Sequence, residues 1–225
     1  MSATGRTDGV RQEKDHYITP GWALQRLLEA YRLPEGATVL DPCAANGELL
    51  SELNRLRPDL RLMAFEVRAE CTAALSDLTS AGVLENFAIG SFPEMAKSIE
   101  DDAIDFVLTN PPYSMAQEFV EMGNRIAKIG NIHLLRINFV GAQRRRDWTA
   151  KTRPGFFVLP NRPSFTGWGG DATEYAWFVY KDPEMAGRWA ILQLTPDETV
   201  SAWNKRARLL FPDLKPSRSS IGLNE

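Results

Sequence analysis

A short polar turn follows one of the apolar runs of the chain. The residues Asn110-Pro111-Pro112-Tyr113 come directly after Ile104–Thr109. The two prolines remove two backbone N–H donors, so the carbonyl oxygens of the turn have little local competition. The side chain of Asn110 adds an acceptor, and Tyr113 adds an aromatic ring. These groups suit a flat ligand that carries an NH₂. A plain turn uses the same residue types, but the position after a buried strand favours a binding role.

A second turn has the features of a ligand-binding loop. Asp41-Pro42-Cys43-Ala44-Ala45-Asn46-Gly47 links an apolar run to an amphipathic segment. Its small residues let the backbone approach a ligand, and a helix start presents free N–H groups. The dinucleotide fingerprint G-x-G-x-x-G is absent, which argues against a nicotinamide cofactor. Glu66 ends the next apolar run, where a carboxylate can accept hydrogen bonds from ribose hydroxyls. The alternatives are a plain βα turn and a surface carboxylate.

Basic residues with an aromatic neighbour cluster at one place: Arg144, Arg145, Arg146, Trp148, Lys151 and Arg153. Clustered guanidinium groups suit a phosphate backbone, although a charge run is more often a solvated helix face. Because three consecutive residues cannot share one helix face, we favour phosphate binding for the three arginines. A weaker basic patch is interpreted as a solvated face: Lys205, Arg206 and Arg208.

Seven short apolar runs are predicted strands: Ala37–Asp41, Arg61–Glu66, Asn86–Gly90, Ile104–Thr109, Asn131–Ile137, Phe156–Leu159 and Tyr175–Tyr180. Amphipathic segments alternate with the early runs: Gly47–Arg57, Arg68–Ala81 and Met115–Lys128. Thr19-Pro20 offers an N-cap and a first-turn proline for a further helix. The alternation predicts an α/β fold with a Rossmann-like, doubly wound, mostly parallel seven-stranded sheet and helices on both faces. Only the loop 161–173 joins the last two strands, which predicts an antiparallel hairpin at one edge. Ligands of such sheets bind outside the carboxyl ends of the strands.

Composition limits the remaining possibilities. The 225 residues carry a net charge of −3 and are 44% apolar, as in ordinary globular proteins. We expect one domain over residues 15–212, with loose tails at 1–14 and 213–225. The sequence holds no apolar run of membrane-spanning length, so no membrane partner is expected. Cys43 and Cys71 cannot form a disulfide framework, and no spacing typical of a metal site is present, so we expect a reduced, cytoplasmic protein without metal.

Together these motifs resemble those of the amino-methyltransferases that use S-adenosylmethionine. The resemblance is greatest to the DNA adenine-N6 methyltransferases and rests on Asp41-Pro42-x-x-x-x-Gly47, Glu66 and the NPPY tetrapeptide that begins at Asn110. It covers roughly Tyr17–Tyr180. The segment 16–20 fits the early methionine-binding segment of such enzymes.

The resemblance implies a role for each matching residue. The methionine end of the cofactor would lie near Tyr17, Thr19, Asp41, Pro42 and Gly47, its ribose near Glu66, and its adenine near Ser91 and Phe92. The target amino group would lie against Asn110, Pro111 and Pro112, and the target base would stack on Tyr113. Phe165, in the loop between the last two strands, is the candidate for the opposite face of the base; packing in the core is an equal alternative. Ala45 and Ser91 depart from the family pattern, which usually has glycine and aspartate there.

The expected activity is transfer of a methyl group from S-adenosylmethionine to N6 of a flipped-out adenine in DNA. Other acceptors with an amino group remain alternatives: cytosine N4, an RNA base or a protein glutamine. An inactive nucleic-acid-binding module is a further one. After Tyr180 the chain holds an apolar, strand-like stretch, Trp189–Leu194, and a helix-like stretch, Ala202–Leu210, too little for a sizeable second domain. We therefore expect relaxed or short-site specificity, or a second subunit that contributes to recognition. The compact build resembles orphan methyltransferases of phages.

Overall fold

The computed structural model of the protein describes residues 18–168 and 173–210. Eight strands have defined bounds: β1 (Thr38–Asp41), β2 (Arg61–Glu66), β3 (Asn86–Ile89), β4 (Ile104–Thr109), β5 (Ala127–Arg136), β6 (Gly155–Val158), β7 (Tyr175–Tyr180) and β8 (Trp189–Ile191). They form one sheet in the order β3-β2-β1-β4-β5-β7-β6-β8. Tyr17 and the predicted tails at 1–14 and 213–225 lie outside the described residues.

The strand directions confirm a mostly parallel sheet with an antiparallel hairpin. Strands β1 to β5 pair in parallel, whereas β7 is antiparallel both to β5 and to β6. The predicted number of seven strands is corrected to eight, because β8 adds in parallel to the outer side of β6. The sequence indicates a strand-like stretch at Trp189–Leu194, which is not counted in the predicted sheet; β8 itself has only three residues, all solvent-exposed.

Seven α-helices accompany the sheet within the described ranges: α1 (Gly21–Ala30), α2 (Glu48–Leu56), α3 (Thr72–Ser80), α4 (Phe92–Ala96), α5 (Ala116–Ile126), α6 (Arg146–Thr152) and α7 (Asp197–Leu210). Short 3₁₀ turns lie at Ala69–Cys71, Ile137–Phe139 and Gln143–Arg145. The N-cap predicted at Thr19 is wrong by one position: Pro20 occupies it, and no side chain caps the helix. None of the described helices combines the length and apolar character needed to cross a membrane.

Successive strand residues face two different hydrophobic cores. Val39 belongs to the core that packs under α1, α2 and α3, whereas its neighbour Leu40 belongs to the core under α4 and α5. In the same way, Phe106 and Val107 of β4 face opposite sides. Because side chains alternate along a strand, strands buried on both faces read as continuous apolar runs. Because β1 to β6 all run in the same direction, their carboxyl ends meet at one edge of the sheet.

Candidate functional site

A small, partly open cleft lies at the carboxyl edge of β1 and β4. Its lining comes from three parts of the chain: Ile18, Thr19, Asp41, Cys43, Ala44, Ala45, Glu48, Leu49 and Asn110. Thr19 and Asp41, predicted to hold one end of a cofactor, thus lie in the same cleft as Asn110, predicted to bind an acceptor. The sheet order explains this, because β1 and β4 are direct neighbours.

Asp41 joins the two turns through hydrogen bonds. Its Oδ1 accepts from the Cys43 backbone N–H at 3.1 Å and from the Thr109 hydroxyl at 2.7 Å. The sulfur of Cys43 lies 2.9 Å from the Thr109 hydroxyl and 3.4 Å from the Asn110 carbonyl oxygen. The turn after β1 and the turn after β4 therefore share one small polar network.

Burial raises the pKa of Asp41 to about 7, although hydrogen bonds from Thr109 and Cys43 act in the opposite direction. Burial also raises the pKa of Glu48, the second carboxyl of the cleft. A cation in the cleft would favour the ionised form of both groups. The same burial raises the pKa of the Cys43 thiol well above its ordinary value, so this cysteine is protonated at neutral pH and unsuited to act as a nucleophile.

Two residues of the first turn have left-handed backbone conformations. Gly47 has a φ of +84°, and a Cβ on it would lie 2.3 Å from Cδ1 of Leu78, so a larger residue would strain the backbone and displace the Leu78 side chain. Ala45 has a φ of +53°, a conformation that usually favours glycine. Its N–H donates to Oε2 of Glu66 at 2.6 Å. The alanine in place of the family's usual glycine thus carries backbone strain.

Glu66 is buried at the end of β2, one strand away from the cleft. Its Oε1 accepts from the backbone N–H and from Nε of Arg68, at 3.0 and 2.9 Å. Burial raises the pKa of Glu66, but the contacts with Arg68 and Ala45 outweigh it, and the net pKa lies below its ordinary value. An ionised Glu66 therefore holds the first turn in place by accepting from the N–H of Ala45. A contact between Glu66 and the ribose of a cofactor stays a prediction.

The predicted adenine-side residues lie at the start of α4. Ser91 occupies the N-cap position without a capping side-chain hydrogen bond. Phe92 is buried, with its ring centroid 5.0 Å from that of Phe119 in α5. The structure accounts for Phe92 through core packing, and the role of both residues in binding adenine stays a prediction. Neither these residues nor Pro42 and Gly47 line the cleft.

The turn after β4 exposes its residues unequally. Asn110 is half-buried at the cleft, Pro111 is buried, and Pro112 is exposed. The Pro112 carbonyl accepts a hydrogen bond from the N–H of Met115 at 2.9 Å, which closes the turn into α5. The ring of Tyr113 contacts Tyr175 of β7, with centroids 6.0 Å apart. Asn110 lines the cleft, whereas Pro111 does not, so acceptance of a hydrogen bond by the Pro111 carbonyl oxygen stays a prediction.

The loop between β6 and β7 reaches the same edge, as predicted. Phe165 is only 5% exposed and packs edge-to-face against Tyr175, at 5.1 Å between centroids. Two side chains of α7 hold this loop: Trp203 Nε1 donates to the Ser164 carbonyl at 3.2 Å, and Arg208 Nε donates to the Gly167 carbonyl at 2.6 Å. Residues 169–172 of the predicted loop lie outside the described residues.

The arginine run is divided between the surface and the interior. Arg144 and Arg146 are exposed, whereas Arg145 is buried and donates from Nε to the Phe139 carbonyl at 2.8 Å. The guanidinium of Arg145 also covers the Phe139 ring at 4.1 Å. Phosphate binding by this run is thus a prediction that rests on Arg144 and Arg146.

Among the described residues, no group of three or more histidine, cysteine, aspartate or glutamate side chains could hold a metal ion. His133 is buried in β5, where burial lowers its pKa to about 3, and its Nε2 lies 2.5 Å from Oδ1 of Asn131. This histidine is neutral at physiological pH and belongs to the packing of the sheet.

Neither a protein-family model nor a curated protein sequence matches this chain. Solved structures do share its fold. A presumed class I S-adenosylmethionine-dependent methyltransferase from Listeria monocytogenes superposes with a TM-score of 0.53 at 16% identity, over 84% of this chain and 67% of the other. A presumed RNA methyltransferase from Pyrococcus horikoshii gives 0.53 at 23% identity, over 74% and 84%. The modification subunit of a presumed type I restriction enzyme from Vibrio vulnificus gives 0.59 at 11% identity, over 92% and 55%.

These similarities identify the class of fold. The protein has the α/β architecture of the S-adenosylmethionine-dependent methyltransferase structures, which confirms the predicted Rossmann-like sheet. The chain spans about half the length of the modification subunit from Vibrio vulnificus.

Sequence reasoning gave no role to three features that the structure brings to this edge. The Thr109 hydroxyl links the two turns, Arg136 covers the ring of Tyr113 at 4.8 Å, and α7 holds the loop that contains Phe165. The sequence offered a signal for two of them, because Thr109 ends one predicted strand and Arg136 lies at the end of another at the ligand edge. The basic residues of α7, interpreted as a solvated face, are all exposed, and Arg208 in addition contacts the Gly167 carbonyl and the Trp168 ring.

Proposed function

We propose that the protein transfers a methyl group from S-adenosylmethionine to the exocyclic N6 amino group of an adenine in DNA. The observation that carries this proposal is the shared cleft, in which Asp41 and Asn110 both contribute to the lining. A cofactor held by the first turn would lie beside an acceptor held by the second. The methyltransferase-type fold supports the same reaction class.

The cleft fits the charge of such a cofactor. S-adenosylmethionine supplies an electrophilic methyl group on a sulfonium when bound. Burial raises the pKa values of Asp41 and Glu48, which means that the negative charges of these two carboxylates are costly in the protein alone. A cationic ligand in the cleft would stabilise these charges. Thr19 lines the same cleft, and the left-handed Gly47 brings the start of α2 beside it.

The second turn suits an aromatic amine. The amide oxygen of Asn110 and the carbonyl oxygen of Pro111 would accept hydrogen bonds from the NH₂ group and stabilise the partial positive charge that develops on nitrogen. The prolines leave these oxygens without competing N–H donors. Tyr113 would stack on the base and orient the amino group toward the methyl group. The nitrogen would attack with its own electron pair, so that the N–C bond forms as the C–S bond breaks. Its surplus proton would leave for solvent afterwards, so no general base is needed before transfer.

A duplex base reaches this turn only when it is flipped out, which costs a few kcal/mol. Stacking on Tyr113 offsets part of this cost, at roughly 1–3 kcal/mol per base. Arg144 and Arg146 would contact the flanking phosphates. We propose that a second subunit or partner contributes to sequence recognition, since the structure from Vibrio vulnificus is named as one subunit of a larger enzyme.

The direct test uses S-adenosylmethionine with a labelled methyl group, unmethylated DNA, and nucleoside chromatography after digestion. Label in N6-methyladenine supports the proposal. Label in N4-methylcytosine would show that the same reaction takes place on cytosine rather than adenine. Absence of label in DNA, together with calorimetric binding of the cofactor, directs the search to RNA and protein glutamine. Absence of both label and cofactor binding supports an inactive module.

Replacement of Asn110 by alanine tests whether the acceptor turn, residues 110–113, acts in methyl transfer without contributing to cofactor binding. We expect Asn110→Ala to lower the rate of methyl transfer by about 100-fold or more, because it removes a hydrogen bond that strengthens in the transition state. Cofactor affinity, measured by calorimetry, should change by less than about threefold, since this affinity depends on the first turn. Asn138→Ala, an exposed asparagine near the same edge, is the matched control. Equal losses of rate and cofactor affinity would contradict the assigned role.

A further inference from the structure

The charges of the protein are divided along the chain. Residues 18–126, which include β1 to β4 and the first turn, contain 17 acidic and 8 basic side chains. Residues 127–210, which include β5 to β8, contain 7 acidic and 13 basic side chains. The small net charge of −3 therefore hides an acidic part and a basic part. Such an asymmetry is typical of a protein that binds a polyanion at its basic part.

The ion pairs follow the same division. Within the described ranges, seven of the eight cations in residues 18–126 pair with a carboxylate, and Arg32 is the exception. The acidic residues of α7, Asp197 and Glu198, lie in its first turn. The cations of α7 are exposed and form no ion pair with any described residue: Lys205, Arg206 and Arg208. Because their charges are not compensated nearby, these cations attract an anion more strongly than the paired cations do.

The helices α6 and α7 lie on opposite faces of the sheet. Trp203 of α7 packs on the core that contains Val179 of β7. Trp148 of α6 packs on the core that contains the next residue of that strand, Tyr180. Because successive residues of a strand point to opposite faces, the two helices cover β7 from its two sides.

Both helices bring cations to the ligand edge. The C-terminal part of α7 contacts the loop between β6 and β7 at this edge, since Arg208 donates to the Gly167 carbonyl at 2.6 Å. The exposed Arg144 and Arg146 follow the end of β5, which lies at the same edge, and Arg146 begins α6. The acceptor turn follows β4 at this edge as well. Exposed cations are therefore present on both faces of the sheet beside the edge that carries the acceptor turn.

We propose that Lys205 and Arg206 of α7 bind the phosphate backbone of DNA, on the opposite face of the sheet from Arg144 and Arg146. The inference rests on the proposed function, because the bound DNA is the one that supplies a base to the acceptor turn. DNA fits this arrangement better than a compact anion does, since phosphates continue along a strand on both sides of any base. The helix α7 thus has a second role besides holding the loop that contains Phe165.

The test counts phosphate contacts by the salt dependence of binding. The probe is a short fluorescein-labelled DNA duplex, and its dissociation constant is measured by anisotropy at several salt concentrations. Each lost phosphate contact lowers the slope of log Kd against log salt concentration by about 0.9. We expect the double variant Lys205→Gln/Arg206→Gln to lower the slope by at least this amount and to weaken binding severalfold at low salt. Its unfolding free energy in urea should equal that of the wild type, because both side chains are exposed.

A matched control separates the α7 surface from net charge. The double variant Arg32→Gln/Arg55→Gln also removes two exposed positive charges, but from the acidic part of the protein. The inference is overturned if the α7 variant keeps the wild-type slope, or if its slope changes no more than that of the control. Polyglutamate is added as a competitor: displacement of the duplex as effective as that by unlabelled DNA would indicate an acidic polypeptide as the partner and overturn the inference.

A parallel assay of methyl transfer distinguishes this inference from the proposed function. A wild type that transfers methyl groups to adenine, together with an unchanged slope in the α7 variant, retains the function and overturns the inference. A wild type whose binding slope depends on α7, but which transfers no methyl group to DNA, retains the surface and overturns the proposed reaction. A wild type that does not bind the duplex overturns the inference.

Discussion

At the scale of single residues, the charge state of Asp41 sets the electrostatic character of the cleft. The side chain is buried at the end of β1, and its pKa rises from 3.8 to about 7 on folding. Between these two pH values the folded state binds a proton that the unfolded state has released, so stability falls as the pH rises through this window. Above pH 7 the full cost of the buried charge is present.

Replacement of Asp41 by asparagine should therefore stabilise the protein at alkaline pH. The amide oxygen can still accept the hydrogen bonds from Cys43 and Thr109, and no buried charge remains. We expect the gain in unfolding free energy to be larger at pH 8 than at pH 5 by roughly 2 kcal/mol. Urea unfolding at both pH values measures it.

Asp59→Asn is the control for this experiment. Asp59 is a surface carboxyl, and the hydrogen bond from Arg57 lowers its pKa to about 2. Its replacement should bring no gain at alkaline pH. A gain for Asp41→Asn that is equal at pH 5 and pH 8 would show that burial does not raise the pKa of Asp41.

Residue types and strand ends were enough to predict that Asp41 and Asn110 lie close together at one edge of the sheet. Neighbouring parallel strands bring their carboxyl ends to one edge, so the residues that end them converge there. The sequence could not distinguish Arg145, which is buried against Phe139, from Arg144 and Arg146. Burial of one arginine in a run depends on tertiary packing, which charge patterning does not contain.

At the scale of secondary structure elements, α7 supports the loop between β6 and β7, which contains Phe165. Trp203 and Arg208 donate to carbonyl groups of the loop, and Arg208 also lies over the Trp168 ring at 5.0 Å. Gly167, with a φ of +79°, approaches the helix so closely that a Cβ would lie 2.4 Å from the Asn204 carbonyl oxygen. The position of Phe165 thus depends on a helix that follows it in the chain by some thirty residues.

Loss of the Arg208 contacts should loosen this loop. We expect Arg208→Ala to reduce the unfolding free energy by about 1 kcal/mol, the typical contribution of one hydrogen bond. Hydrogen exchange of the backbone amides of residues 165–168 should accelerate by a larger factor than that of β7. Arg206→Ala, on the exposed surface of the same helix, should change neither quantity. Unchanged exchange in the loop would contradict a supporting role of α7.

Most elements could be predicted because their patterns are strong. The bounds of β2, β4 and β7 agree with the predicted runs, since each is apolar and is bounded by polar or turn-forming residues. The first turn of α7 was missed: the structure begins this helix at Asp197, whereas the sequence indicated Ala202–Leu210. Only Ala207 of α7 is buried, so its apolar face gives too weak a period to locate its start.

At the scale of the whole molecule, the outer edge of the sheet is apolar and exposed. Trp189 is 63% and Ile191 64% exposed, and both belong to β8. The Trp189 ring stacks on Phe156 of β6 at 6.4 Å. Within the described ranges, no strand pairs with the outer side of β8. Such an edge favours pairing with another chain.

A single charge on this edge should reduce self-association. We expect Ile191→Lys to lower the apparent mass in concentrated solution, measured by light scattering over a range of concentrations, because a lysine on an edge strand opposes pairing. The unfolding free energy should change by less than about 0.5 kcal/mol, since the side chain is exposed. Gln193→Lys, which adds the same charge just beyond the strand, is the control. Equal effects of the two variants would show that net charge, not the edge, controls association.

The hydrogen bond from Thr109 to Asp41 has a thermodynamic consequence for the order of binding. It connects the first turn to the residue that immediately precedes Asn110. Under the proposed function, a ligand that changes the protonation or position of Asp41 would alter the turn that is proposed to hold the acceptor. Linkage then requires that the acceptor, in return, change the affinity for the first ligand by the same factor. The proposed function therefore predicts that the binding of the two substrates is coupled through this buried hydroxyl group.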